Sequence, residues 1–219
     1  FEIMRIATIV LNRNLPIVTD TLCQNLLESG VNNTDLFVME SGSDQTNVSK
    51  FCTWHVRDAD SIKNGLRYNR GMNQALINLF QSSSWGKYDA FLLLTNDTEF
   101  LTNDPLSAFQ NVLERHPRAA IVSPCARNWG EASFIDANNE KYLWSIGTTA
   151  MLIRRKFIEL VGNVNTISNR DFFFDGNNFR GYLSDIEIVA KAYLNDWAVA
   201  VTKAVFAEEN DEYLLNISD

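Results

Sequence analysis

Two acidic segments hold the side chains best suited to chemistry. The first, Thr95-Asn96-Asp97-Thr98-Glu99, follows directly on the apolar run Ala90-Phe91-Leu92-Leu93-Leu94. A buried strand ending in carboxylates delivers hard oxygen donors to the carboxyl edge of an α/β sheet, where open sheets bind their ligands. Mg²⁺ or Mn²⁺ held by one or two such carboxylates commonly neutralises a diphosphate. The same residues also suit a plain polar turn, with Asp97 accepting local backbone N–H groups. The second segment, Ser184-Asp185-Ile186-Glu187, has the spacing of a capping box. Ser184 would accept from the N–H of Glu187, and the Glu187 side chain would reach back. Glu187 is then structural, while Asp185 is either a favourable charge at a helix N-terminus or a carboxylate able to take a proton.

Other chemistries have little to build on. Only two histidines are present, His55 and His116, and His116 precedes Pro117 at an expected helix end, so hydrolase triads are not favoured. The ten glycines include neither GxGxxG after the first strand nor GxxxxGK[ST]. Cys23, Cys52 and Cys125 form no CxxC pair and read as reduced thiols. The formal net charge of -8 opposes a nucleic-acid partner. A phosphorylated small ligand would need local arginines, helix N-termini or a divalent cation to offset it. With 46% hydrophobic and 21% charged residues the chain suits a globular core. No run approaches the roughly 18 apolar residues of a membrane span. The chain shows no signal peptide, and a glycan on the Asn96-Asp97-Thr98 sequon would block the acidic strand end, so a cytoplasmic setting is expected. The opening Phe1 suits a domain cut from a longer protein.

The elements that must position these groups alternate. Residues 5–11 (RIATIVL) read as a strand buried on both faces. After a turn at 12–16, Val18, Leu22, Leu26 and Leu27 recur at helical spacing, with Gly30 at the C-cap position. Strand at 36–39, helix at 66–80, strand at 90–94, a helix opened by Asp104 and Pro105, and strand at 119–123 continue the pattern. Such alternation predicts an α/β fold with a mostly parallel, Rossmann-like central sheet and helices on both faces. Beyond it, 143–153 reads as a strand and 163–180 as a long functional loop. A helix is expected at 184–195 with Ile186, Val189, Ala190, Tyr193 and Leu194 on one stripe, and a closing strand at 198–206. One domain over 1–219 is expected, its donor-binding half at about 1–100 and its acceptor-side half at about 101–219.

Over nearly its whole length the chain resembles the GT-A glycosyltransferases of the inverting family 2 group. Ile9-Val10-Leu11-Asn12-Arg13 resembles their opening strand and turn, and Glu40-Ser41-Gly42-Ser43-Asp44 their acidic second strand end. The segment from Gly65 through Asn73 to Ala75 is similar to their Gly-rich entry into an Asn-containing helix. Leu92 to Glu99 looks like a strand ending in a DxD-type metal motif, with Thr95 in place of the first Asp. Gly147 to Arg155 resembles the acceptor-side strand. Tyr182 to Ile188 falls where the family has Glu-Asp, with Ser184 in place of the Glu. The family's frequent His near the last strand is absent, the segment here being Val205-Phe206-Ala207-Glu208-Glu209.

The resemblance implies transfer of a glucose- or rhamnose-type sugar from a nucleotide-diphosphate donor, a UDP-sugar by preference, to a hydroxyl of a glycan acceptor, with inversion. Asp97 is then the ligand of Mn²⁺ or Mg²⁺, and Asp185 the base. Asn12, Glu40 and Asp44 are expected at the nucleoside, Arg13, Arg67 and Arg70 at the phosphates, with Asn73 and Asn96 also at the donor. Trp129, Trp144, Phe172, Phe173 and Phe174 are either an acceptor wall or core. Glu99, Glu187 and Glu208 stay unassigned. Two rival readings are a noncatalytic nucleotide-sugar or glycan binding module and a sugar-phosphate nucleotidyltransferase. The latter needs a Gly-rich, basic loop after the first strand, where this chain has Asn12-Arg13-Asn14-Leu15-Pro16.

Overall fold

Apolar side chains that alternate along a strand must be covered on both sides, and here they are. In the computed structural model, which describes residues 4–29, 34–126, 131–135, 139–210 and 212, strand β1 (Ile6–Asn12) sends Ala7 and Ile9 to one face and Ile6 and Val10 to the other. Helices α1 (Pro16–Glu28) and α4 (Pro105–Arg115) cover the face of Ile6 and Val10. Helices α3 (Arg67–Phe80), α5 (Arg155–Val161) and α6 (Ser184–Leu194) cover the opposite face. Strand β4 (Ala90–Thr95) repeats the division, with Phe91 and Leu93 toward α3 and Leu92 and Leu94 toward α4. Each of the larger side chains among these, fully buried, contributes about 1.5–3 kcal/mol.

The remaining elements are β2 (Thr34–Ser41), β3 (Cys52–Val56), α2 (Ala59–Asn64), β5 (Thr98–Phe100), β6 (Ala119–Cys125), β7 (Glu140–Tyr142), β8 (Ala150–Arg154) and β9 (Ala198–Glu209). The sheet order is β3-β2-β1-β4-β8-β6-β9-β5, with β7 also paired to β9. The α/β class expected from the alternation is present. Parallel pairing covers β3-β2-β1-β4 and β6 with β9, while β8 runs antiparallel to both β4 and β6. Beyond β4 the sheet is therefore mixed rather than mostly parallel. Pro124 lies inside β6 at a register shift against β9, where a missing N–H does least harm.

Asp104 caps α4 as its sequence indicates, accepting the N–H of Ser107 at 3.1 Å, with Pro105 opening the helix. Elsewhere expectation and structure part. The strand expected at 143–153 is confined to β8, and the C-cap of α1 is Ser29, Gly30 lying outside the described residues. Helix α6 buries Ile188, Val189 and Ala192 against the sheet and leaves Ile186, Tyr193 and Leu194 exposed.

Candidate active site

The carboxyl ends of β1, β2 and β4 meet in one polar network. Register places Asn12 opposite Glu40, and the Asn12 Nδ2 group donates to both Glu40 carboxylate oxygens at 3.0 and 2.9 Å. Glu40 also accepts from the Ser43 hydroxyl and from the Ser49 N–H at 2.8 Å. Both residues are fully buried. Asn12 and Glu40, expected at the nucleoside, here spend their polar atoms on each other, and neither side chain presents surface. They instead hold the strand ends. Asn12 Oδ1 accepts from Asn96 Nδ2 at 2.9 Å, which ties the β4 end to the β1 end. Gly42 completes the β2 turn at φ 78°, where a Cβ would lie 1.8 Å from the Ser61 carbonyl oxygen. Asp44 follows at the surface.

Asp97 lies between β4 and β5, half-buried, and among the described residues its carboxylate has no hydrogen-bond or ion-pair partner. The Asx-turn alternative is not what forms here. Its backbone carbonyl accepts the Asn210 N–H at 3.0 Å, while Asn210 Nδ2 donates to Glu99 Oε1 at 2.5 Å. Asn96, Asp97, Glu99 and Asn210 line a groove of about 500 Å³ together with Ile17, Leu22 and Leu26 of α1 and with Phe100 and Leu101. Among the described residues no group of three or more His, Cys, Asp or Glu is placed to hold a metal ion.

The C-terminal strand reaches the same edge. Pairing of β5 with β9 sets Thr98 opposite Glu209 and Glu99 opposite Glu208. Glu209 Oε1 accepts from Thr149 Oγ1 at 3.0 Å. Tyr68 of α3 has a buried hydroxyl without a hydrogen-bond partner among the described residues, and burial first, then the Glu209 charge, raise its pKa. The sequence reading assigned nothing to Tyr68, Thr149 or Glu209. They belong to elements far apart in the chain, and only the pair Glu208-Glu209 near the end hinted at them.

Asn73, expected at the donor, is fully buried and spends its whole amide on the 163–183 segment. Its Nδ2 donates to the Asn169 and Phe174 carbonyls at 2.9 and 2.7 Å, and its Oδ1 accepts from the Phe173 and Phe174 N–H groups at 3.1 and 2.9 Å. In this structure it acts as a clamp on that segment. Phe172, Phe173 and Phe174 are buried core aromatics and not an acceptor wall, whereas Trp144 is 78% exposed and Trp129 lies outside the described residues.

The same segment leads into α6, and the expected capping box does not form. Leu183, at φ 61°, occupies the N-cap, Ser184 is already helical, and no side chain caps the turn. Glu187 pairs with Lys191 one turn on and accepts the Asp175 N–H at 3.4 Å, while Lys191 Nζ donates to the Phe173 carbonyl at 2.6 Å. Glu187 is structural by that route. Asp185, in the first turn, has no hydrogen-bond or ion-pair partner among the described residues. Strands β4 and β9 run in the same direction, because β8 is antiparallel to β4 and β6 and β6 is parallel to β9. Helix α6 returns into β9 through residues 195–197 and packs on it, so its N-terminus, with Asp185, points toward the edge that carries Asp97.

Arginines gather at the entry to α3. Arg13 Nη2 donates to the Ile62 and Lys63 carbonyls at 3.1 and 3.2 Å, and Gly65 is so close that a Cβ there would lie 2.7 Å from Arg13 Nη1. Arg180 donates to Asp60 Oδ2 at 2.9 Å and to the Gly65 carbonyl at 2.8 Å. Arg70 donates to the Gly176 carbonyl at 2.8 Å and lies 3.7 Å from Asp60. Arg67 is exposed, at φ 61°, and among the described residues its guanidinium has no hydrogen-bond or ion-pair partner. A non-glycine residue held there costs on the order of 1–3 kcal/mol, a strain that recurs at ligand sites.

The architecture is that of the GT-A fold, as solved structures of that fold show. A mannosyltransferase from Pyrobaculum calidifontis, solved with GDP-Man and Mn2+, superposes with a TM-score of 0.63 at 13% identity over 91% of this chain and 56% of its own. GalNAc-T7, solved with UDP, GalNAc and Mn2+, gives 0.64 at 8% identity over 95% and 44%. A197 from STIV gives 0.54 at 11% identity over 94% and 86%. The chain thus spans about half the length of the first two. No family model matches the sequence, and no curated protein does. Among the described residues no helix is long and apolar enough to cross a membrane.

Proposed function

We propose that this domain is a glycosyltransferase that moves a sugar from a nucleotide-diphosphate donor to an acceptor hydroxyl with inversion, a UDP-sugar and a glycan being the preferred pair. The observation that carries the reading is the Asp97 carboxylate at the carboxyl end of β4, without a partner among the described residues and lining a groove of about 500 Å³, in a GT-A fold. The solved neighbours with GDP-Man or UDP and Mn2+ support it by fold. Asp97 suits a divalent cation, since among the described residues both its oxygens are uncommitted, and one or two carboxylates suffice when diphosphate and water complete the shell. Mn²⁺ or Mg²⁺ held there would supply charge neutralisation for the departing nucleoside diphosphate.

This chain's own residues do the rest. Asn12, Glu40 and Asn96 lock the strand ends, so that Asp97 is presented without rearrangement. Asp185, at the start of α6 and toward the same edge, takes the proton of the attacking hydroxyl. Asn73, Glu187 and Lys191 hold the 163–183 segment against α3 and α6, which fixes where Asp185 stands. A panel of nucleotide-sugars with Mn²⁺, read first by thermal shift and then by release of nucleoside diphosphate, tests the reading. A ligand that binds the folded state raises its melting temperature. A panel without any stabilising nucleotide-sugar contradicts it, and stabilisation without turnover favours the binding-module alternative.

A further inference from the structure

A second cavity, of about 290 Å³, lies at the opposite edge of the sheet from Asp97 and is lined by Arg118, Tyr142, Tyr193, Asp196, Trp197 and Ala198. Arg118 stands just before β6, and Asp196 and Trp197 join α6 to β9. The Ala198 N–H donates to the Arg118 carbonyl at 2.8 Å, where these two parallel strands begin. A surface tyrosine ordinarily keeps its hydroxyl in water and its ring against the protein. Here the order is reversed. Tyr142 and Tyr193 are 51% and 43% exposed, yet the Tyr142 hydroxyl shares a hydrogen bond with His116 Nδ1 at 2.8 Å, and the Tyr193 hydroxyl donates to the Leu143 carbonyl at 2.8 Å. With both polar tips committed to the fold, ring surface is what these residues offer to solvent. Trp197, half-buried, packs on Phe157 of α5 with ring centroids 6.3 Å apart, and among the described residues its indole N–H has no hydrogen-bond partner.

Beside the rings stand polar groups of both signs. Arg118 donates from Nη2 to the Asp196 carbonyl at 3.1 Å, and among the described residues its remaining N–H groups have no partner. Asp196 follows the C-cap Asn195 of α6 at φ 59°, in the left-handed conformation that glycine or asparagine usually fills. The aspartate brings to that place a carboxylate with no hydrogen-bond or ion-pair partner among the described residues. Aromatic surface bordered by donors and acceptors together matches a pyranose. The C–H face of the sugar lies on the negative face of an aromatic ring, and each hydroxyl, donor and acceptor at once, meets a carboxylate, a guanidinium or an indole N–H. One guanidinium and one carboxylate cancel, which favours a neutral sugar over a phosphorylated one. The volume is at the low end of ligand pockets, so it suits a single ring and does not make the long groove of an extended proline-rich peptide. We propose that this cavity is a glycan-binding site apart from the reaction, taking a neutral pyranose unit against the tyrosine rings with Asp196 and Arg118 on its hydroxyls. The 12 residues of β9 separate Ala198, at this cavity, from Glu209, opposite Thr98. The site therefore goes beyond the glycosyltransferase reading and does not depend on it.

Amide NMR of the full chain, titrated with the methyl pyranosides of glucose, rhamnose and mannose without nucleotide or metal, is the test. A single ring on an open site is expected to bind with a Kd of about 1 mM or weaker. At least one pyranoside should shift the amides of Tyr142, Tyr193 and Ala198 and the indole N–H of Trp197, and leave those of residues 96–99 in place. Asp196→Asn removes the charge but keeps a side chain that tolerates a left-handed backbone, and should weaken binding about tenfold at an unchanged melting temperature. Tyr142→Phe keeps the ring and should bind within a few-fold of the parent, whereas Tyr142→Ser should lose about tenfold. Shifts at residues 96–99 instead, binding indifferent to both Asp196→Asn and Tyr142→Ser, or no shift by any of the three sugars well above millimolar concentration overturns the proposal. A polyproline peptide that moves these amides where the sugars do not overturns it as well. Release of nucleoside diphosphate from a sugar donor does not pass through this cavity and should be equal in Asp196→Asn and the parent, so failure here leaves the glycosyltransferase reading standing.

Discussion

Asn12 and Glu40 face each other across the β1–β2 pairing, and one amide group serves both oxygens of a fully buried carboxylate. Such a pair fixes the two strand ends against each other at the proposed site. Asn12→Ala leaves Glu40 short of a donor and should destabilise the domain by about 1–3 kcal/mol. For a chain of this size that is roughly a 2–12 °C fall in melting temperature. Thermal unfolding by circular dichroism checks it. An unchanged melting temperature with lost donor affinity would return Asn12 to direct nucleoside contact.

Asn73 predicts a different signature. Asn73→Asp keeps the shape of the side chain but cannot donate to the Asn169 and Phe174 carbonyls. A loss of about 1–3 kcal/mol is expected, with faster hydrogen exchange at the Phe173 and Phe174 amides than elsewhere in the core. Exchange that quickens uniformly, or not at all, would deny Asn73 its role as the clamp of the 163–183 segment.

Much of this architecture is legible in the residues, and the illegible parts have physical causes. Strands β1 and β4 are nearly continuous apolar runs, and α4 carries its cap and Pro in sequence, so each is read from local pattern alone. Strand β3 (CTWHV) and helix α2 (ADSIKN) are too short to show a period, although Asp58, which caps α2 by accepting from Asp60 and Ser61, is a local signal that was there to be used. The capping box at Ser184 misleads because Leu183 can take the N-cap in a left-handed conformation that no spacing rule anticipates. Asn12, Glu40 and Asn73 have the residue types of a ligand site, yet their partners are internal. Asn73 and Phe174, for instance, are 101 residues apart, a juxtaposition only the fold creates. Asp97 and Asp185 stand out by type and place, and the structure adds that both carboxylates are uncommitted among the described residues.

Asp185 separates structure from chemistry by orders of magnitude. If it takes the acceptor proton, Asp185→Asn should bind the donor normally and transfer sugar about 10²- to 10⁴-fold more slowly. As a helix-terminal charge alone it would matter by only about 0.3–1 kcal/mol of stability. Transfer within a few-fold of the parent, at saturating donor and acceptor, assigns the base elsewhere.

Cys23 offers a pH-dependent check on the α1 face of the core. Burial first, with the Asp20 charge second, pushes its thiol up to about 12. A raised pKa favours the protonated form in the folded state, so this group's contribution is fully present below the unfolded thiol's pKa near 9 and is lost between about 9 and 12. In the folded protein Cys23 should therefore resist alkylation by iodoacetamide at pH 8, and mass spectrometry should find it modified only on unfolding. Rapid modification under native conditions would mean that α1 does not pack as described.

The account turns on Asp97. Release of nucleoside diphosphate from the nucleotide-sugar that the unmodified chain prefers, with Mn²⁺ present and compared with Asp97→Asn, is its most direct measurement. If Asp97 holds the metal as proposed, its loss should exceed the effect of losing an outer-shell partner, so turnover is expected to fall about 100-fold or more with little change in melting temperature. Turnover by Asp97→Asn within a few-fold of the parent, at the same Mn²⁺ concentration, would contradict the assignment of the reaction to this strand end.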